Sequence, residues 1–444
     1  MSVDQNPANG LLSLAWESVP TVLPADASFV DFNFVSESLS NDAETIQDDS
    51  ITALAQRPVA LPSKVKTGGN VVLRAMAEGG LPRLIANIQG KADMTEVVAS
   101  TVYIGKYAPS MTELTAPETF STRVWRDDNL PQYGRGSRVR SLDFSIQQRG
   151  LLQVTANIIQ QRSDYWSYPT VVNEGSANTH RPRLQGIPNY AQFLAGNLVR
   201  FKVTDVTGLP TAITGRAKFT SGASYGSTDI NVLIGEDDAG FPLVAEAYDD
   251  AGNRIGTRAM PVEVILHDGT GYQVDDEYQF DYGAVWTPSY ADCPVFNEIF
   301  AKVLIDDEEF KVTQATMKIE GVAEADFAVG GRFAWNVINR GQRQVSIGLQ
   351  RRYLDIKLRR RLETGQPFKF VLDCFGGQAI SGSYEHEFHW TSTNCIPSGT
   401  TPVIGGNSQM DEQYNATCHP NADDVNYPDD VTIEIQSTEA DVTV

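Results

Sequence analysis

The chain has 444 residues, about three domains at roughly 150 residues each. Its 56 Asp and Glu against 35 Lys and Arg leave a formal charge of −21, the wrong sign for a protein that neutralises nucleic-acid phosphates or rests on anionic lipid. An apolar content of 41% supplies packed cores and excludes a wholly disordered chain, and no apolar run approaches the roughly 18 residues of a membrane-spanning helix.

Residues 1–25 read as a loose lead-in, with neither the basic nor the apolar region of a secretory leader. Residues 26–165 read as a β-rich unit. Phe29-Val-Asp-Phe-Asn-Phe34 alternates at period two, and Leu142–Ile146 and Leu152–Ile158 form a hairpin around Arg149-Gly150. A helix is expected over 78–88, with Pro82 in its first turn. Tyr133-Gly-Arg-Gly-Ser137 reads as a turn. The Asn-, Pro- and Gly-rich stretch from Pro169 to Pro188 reads as a linker, within a boundary segment at 166–194.

Residues 195–290 carry short strands at regular spacing, at 198–203, 229–233, 243–247, 261–265 and 278–280, the signature of a small inserted β-sandwich. Residues 291–395 form a further β unit with strands at 310–312 and 345–349. A helix follows over 353–362, stopped by Gly365. The order strand, Gly-flanked strand, helix matches that of the first unit, so two copies of one fold are expected. Residues 396–444 contain neither Lys nor Arg and read as an acidic C-terminal arm, with a strand at Val431–Ile435.

Motifs for chemistry are sparse. The four cysteines, Cys293, Cys374, Cys395 and Cys418, form no C-x-x-C pair and suit free thiols made in a reducing cytoplasm. His386, His389, Cys395 and Cys418 form the one set with metal-ligand chemistry. On a strand, however, 386 and 389 face opposite ways, so ordinary strand residues are the expectation and no metal is assigned. There is no nucleophile elbow, Walker loop or dinucleotide fingerprint, so no catalytic or cofactor-binding residue is assigned and an enzyme is not expected. Acidic pairs such as Asp48-Asp49 and Asp306-Asp307 read as solvated turns. Against this acidic background stands a basic island: Arg332, Arg340, Arg343, Arg351, Arg352, Lys357, Arg359, Arg360 and Arg361. A solvated helix face, a nucleic-acid contact and a patch that docks the acidic surface of an identical neighbour all fit it. The last suits head-to-tail polymerisation.

Phe32-Asn-Phe-Val-Ser-Glu37-Ser38-Leu39, then Glu44-Thr-Ile46 and Ile51, then Lys66-Thr-Gly-Gly69-Asn-Val-Val-Leu73 and the closing strands 139–158, resemble the tail tube proteins of long-tailed, non-contractile bacteriophages. Residues 28–165 carry the likeness well and 296–395 loosely. Thr52 stands where a basic residue is expected, and Arg57 is a substitute. The resemblance implies a mainly β protein: two tail-tube-type sandwich or barrel domains, each with a flanking helix, plus the inserted β-sandwich. It implies trimeric, pseudo-hexameric rings of self-assembled copies, stacked into a tube. It implies other tail proteins as partners (tape measure, terminator, tail tip), genomic DNA passing through the lumen without specific binding, synthesis in the host bacterial cytoplasm and residence in the virion tail. Within that reading the loop 40–66, with Glu44, Asp48, Asp49, Arg57 and Lys64, is an inter-ring arm, and Arg351, Arg352, Lys357, Arg359, Arg360 and Arg361 serve a subunit interface. The alternatives are an adhesin of Ig-like domains, or another ring or sheath component of the tail.

Overall fold

The structure is a computed structural model. It describes residues 10–18, 24, 28–46, 61–109, 119–126, 131–167, 169–173, 183–185, 199–208, 212–218, 230–233, 263–265, 273–280, 288–321, 323–328, 333–339, 342–352, 357–403 and 411–442. The protein is mainly β. Its first part contains Leu11–Trp16 (β1), Val30–Asp31 (β2), Ser36–Glu37 (β3), Ser40–Ile46 (β4), Leu61–Arg74 (β5), the helix Gly80–Gln89 (α1), Gly90–Val98 (β6), Val102–Pro109 (β7), Phe120–Trp125 (β8), Gln132–Gln147 (β9), Gln153–Gln160 (β10) and Arg162–Ser167 (β11). The middle contains Pro169–Asn173 (β12), Arg183–Gln185 (β13), Val199–Asp205 (β14), Ala212–Lys218 (β15), Ile230–Leu233 (β16), Glu263–Ile265 (β17) and Glu277–Phe280 (β18). The last part contains Ala301–Ile305 (β19), Glu308–Glu309 (β20), Gln314–Glu320 (β21), Ala323–Asp326 (β22), Asn336–Asn339 (β23), Gln344–Arg352 (β24), the helix Lys357–Thr364 (α2), Phe368–Ser381 (β25), Tyr384–Val403 (β26), Asp411–Cys418 (β27) and Thr432–Ser437 (β28).

Two antiparallel layers hold the core. The first runs β4-β5-β10-β9-β21-β24-β27 and ends on the C-terminal half of β26. The second runs β6-β7-β28-β26-β25-β19 through the N-terminal half of β26. The long strand β26 thus belongs to both. Each strand alternates, one side chain in and the next out. In the first layer, Val71, Ala156, Leu142, Ile319, Val345 and Cys418 stand in register and are buried. In the second, Val303, Leu372, Trp390, Ile433, Tyr107 and Ala92 do the same. The layers meet where the Phe144 ring lies 5.4 Å from Trp390 and 5.7 Å from Phe388, the first pair edge to face.

This register changes the division expected from sequence. Strand β9 of the first unit pairs along β21 of the last, from Gln147–Gln314 to Ser141–Glu320. The two stretches, 26–165 and 291–395, therefore share one sheet and one core. The element order strand, helix, hairpin does recur, as β5-α1-β6-β7 and β24-α2-β25-β26. The expected C-terminal arm is instead structural: β27 lies between β24 and β26, and β28 between β26 and β7. The tail past β28 is also tied down. Trp16 Nε1 donates to the Val442 carbonyl at 2.7 Å, and Glu439 accepts from the Gly79 N–H and from Arg83 at the start of α1. The lead-in likewise contains β1, a buried strand between β2 and β8. Tyr133–Ser137 is part of β9, with the Gln160 side chain packed against Gly134.

In the middle section, β12-β18-β14-β15-β16 form a five-stranded antiparallel sheet. The expected linker therefore supplies its edge strand β12, and also β13, which pairs with β11 and β17. The expected strand at 243–247 lies outside the described residues, as do 353–356 at the start of the second expected helix. Gly365, with φ of 65°, terminates α2 as expected.

Candidate functional site

The outward side of the first layer is the most distinctive surface. Strands β10, β9, β21, β24 and β27 turn small polar side chains toward it because their apolar partners alternate into the core. One row across the sheet reads Gln147, Gln314, Gln350, Gln413, in direct register over four strands. The next reads Gln153, Ser145, Thr316, Gly348, Asn415, and the third Thr155, Asp143, Lys318, Ser346, Thr417. These last two rows floor a depression of about 710 Å³. Its charges are mutually engaged: Lys318 Nζ lies 3.0 Å from Glu320 and 4.0 Å from Asp143. Partial burial raises the Asp143 carboxyl above its usual range, against the opposing pull of Lys318. Two carboxylates surround the one ammonium of these rows, and exposed Arg74 extends the second row past Gln153 on β5.

The opposite outward surface, on the second layer, has a different chemistry. There Lys302, Asp373, His389, Glu434, Lys106 and Asp93 stand in register over six strands and alternate in sign when His389 is protonated. His389 donates to Asp373 and Glu387, each at 2.8 Å. Burial lowers its pKa, but the two carboxylates outweigh that and raise it to about 9. His386 faces the other way, into the protein, with Nδ1 3.8 Å from Glu78, and burial lowers its pKa. The two histidines therefore do not converge. Among the described residues, no group of three or more His, Cys, Asp and Glu side chains is placed to hold a metal.

The expected arm is a hairpin, β4 against β5, running out from the edge of the first layer. Glu44 pairs with Lys66 at 2.5 Å, and Lys64 Nζ sits 4.7 Å from the Phe327 ring centre. Asp48, Asp49 and Arg57 lie outside the described residues. The Glu-Ser-Leu element anchors the root of this hairpin. Glu37 takes Arg126 at 2.5 and 2.7 Å and accepts the Leu39 N–H, while Ser38 exchanges hydrogen bonds with the Asn70 backbone. Gly68 and Gly69, at φ of 142° and 157°, let β5 pass between two backbones. A Cβ at 69 would stand 2.2 Å from the Ser38 carbonyl oxygen, and one at 68 would stand 2.3 Å from that of Ile158.

The basic island does not act as a unit. Arg351 is a correction: it is 3% exposed, points into the core side of β24, pairs with Glu412 at 3.3 Å and lies 4.6 Å over the Phe310 ring. Arg343 is engaged by Asp430 and Gln89, and Arg361 by Asp306 and the Phe368 ring. Arg352 and Arg360 are exposed; the side chains of Lys357 and Arg359 lie outside the described residues. Sequence reasoning also missed the glutamine row. Each member sits on a different strand, and no local motif links them.

No protein-family model and no curated protein matches this sequence. Among solved structures the chain is similar to the tube-terminating cap of the anti-feeding prophage, at 18% identity over 34% of this chain and 93% of that one, with a TM-score of 0.22, too slight a likeness to bear on fold or function.

Proposed function

We propose that this chain is a self-assembling structural subunit of the phage tail-tube type, whose copies join into rings and whose rings stack into a tube that DNA traverses. The observation that carries the reading is the first layer itself: a continuous antiparallel sheet with one apolar face, one polar face whose central rows are mostly Gln, Ser, Thr and Asn, and two unpaired margins. Among the described residues, β4 has a strand partner on one side only, and so does β26 over 396–403. Open margins of this kind favour joining to another sheet. Pro397 and Pro402 on β26 suit a margin, since proline withholds a ladder donor. In a bore lined mostly by Gln, Ser, Thr and Asn, with Lys318 engaged by Asp143 and Glu320 and exposed Arg74 and Arg352 at the ends of the rows, few cations release counterions, so DNA slides with little hold. In this reading the β4–β5 hairpin is the arm that reaches an adjacent ring, and exposed Arg360 meets an acidic neighbour. The role is structural and not catalytic.

The experiment is sedimentation and negative-stain microscopy of the purified, concentrated protein. Hollow rings or stacked tubes are expected. Well-folded single particles at every concentration and salt would overturn the reading.

A further inference from the structure

Cys395 and Cys418 are buried on neighbouring strands, their sulfurs 3.4 Å apart. They lie directly opposite each other in the β26–β27 register. The His419 N–H donates to the Asn394 carbonyl at 3.0 Å, so 394 and 419 form the hydrogen-bonded pair. The Cys395–Cys418 pair is then the non-hydrogen-bonded one, where Cα atoms approach to about 4.5 Å and side chains are closest. That separation falls within the range a disulfide spans. Cys374 stands opposite Ala301 and Phe388 in its register, and Cys293 lies outside the strands. The site is also mechanically placed: Cys395 is where β26 leaves β25 and joins β27, since it pairs with Phe368 on one side and Cys418 on the other.

We propose that Cys395 and Cys418 are a modification site, a cross-strand dithiol that closes to a disulfide when the protein leaves a reducing compartment and meets a low-molecular-weight disulfide. Cys418, the slightly more exposed of the two, loses its proton and attacks one sulfur of the reagent, expelling a thiolate. The Cys395 thiolate then attacks the Cys418 sulfur and expels the other half. Two S–H bonds and the reagent S–S bond break, one protein S–S bond forms and a bond to each expelled thiol's proton is made. The reagent takes up the two electrons. Because both thiols are buried, exchange proceeds through local opening and is slow. The bond pins the strand that links the two layers. The inference is independent of the assembly reading.

The test incubates the folded protein with hydroxyethyl disulfide, then unfolds it in alkylating reagent and maps the peptides. The expected result is a peptide pair joined through 395 and 418 in the wild type, alkylated 293 and 374, and no joined pair in Cys418→Ser. The oxidised protein should melt about 3 °C or more above the reduced form, a gain reversed by dithiothreitol. Cys395 and Cys418 both fully alkylated after prolonged native oxidation would overturn the proposal. So would bridging that appears in denaturant alone.

Discussion

Gly69 is where the backbone leaves least choice. Gly69→Ala places a methyl against the Ser38 carbonyl at a φ that side chains rarely adopt and should cost at least about 2 kcal/mol in urea unfolding. Glu412→Ala strands the buried Arg351 guanidinium and should cost about 3–5 kcal/mol, whereas Arg360→Ala, on an exposed side chain, should stay within about 0.5 kcal/mol. His389 has a folded pKa of about 9, raised above the ordinary imidazole value of 6.5. Its contribution is therefore complete below the unfolded pKa and is lost as pH climbs to the folded one. The melting-temperature gap between wild type and His389→Gln should be widest at about pH 6 and close above about pH 9. The glycine pair and the stop at Gly365 were legible in the sequence, because a conformational demand is local. Arg351 was not. Its partner Glu412 is 61 residues away, and nothing in a run of arginines marks the one that turns inward.

Among elements, local pairings were readable and distant ones were not. The β9–β10 hairpin follows from two alternating runs around Arg149-Gly150, although the positive φ of the turn, 63°, falls on Arg149 and not on Gly150. Helix α1 sits where its periodicity and Pro82 put it, within two residues. β28 was hidden. Its neighbour β7 lies more than 300 residues earlier, and the acidic stretch before it looks like solvated tail. Yet β28 fills the second layer between β26 and β7, with Ile433 and Ile435 buried. Deleting residues 430–444 should therefore abolish cooperative melting and expose Trp390 to solvent, read as a red-shifted tryptophan emission. An arm that merely hung from the surface would leave both unchanged.

For the whole molecule, the division into two tube domains fails as a description of packing because β9–β21 pairing merges them, although the repeated element order remains visible. The two layers give the chain two unlike outer surfaces, one mostly of amides and hydroxyls with few charges, the other of alternating charge. If the first faces DNA, basic substitutions there should matter in a way they do not elsewhere. Thr316→Lys with Ser346→Lys and Asn415→Lys should turn a non-binder into one that retains DNA at about 50 mM salt and releases it at about 200 mM. The same charges placed on the second layer should retain less in assembled material.

The central claim is that this polar sheet face lines a closed bore made of several copies. A reconstruction of the assembled particle by electron microscopy tests it most directly. Gln147, Gln314, Gln350 and Gln413 should face the axis, with β4 of one copy beside the 396–403 margin of the next; a particle with that face turned outward, or with those margins far apart, would rule this arrangement out.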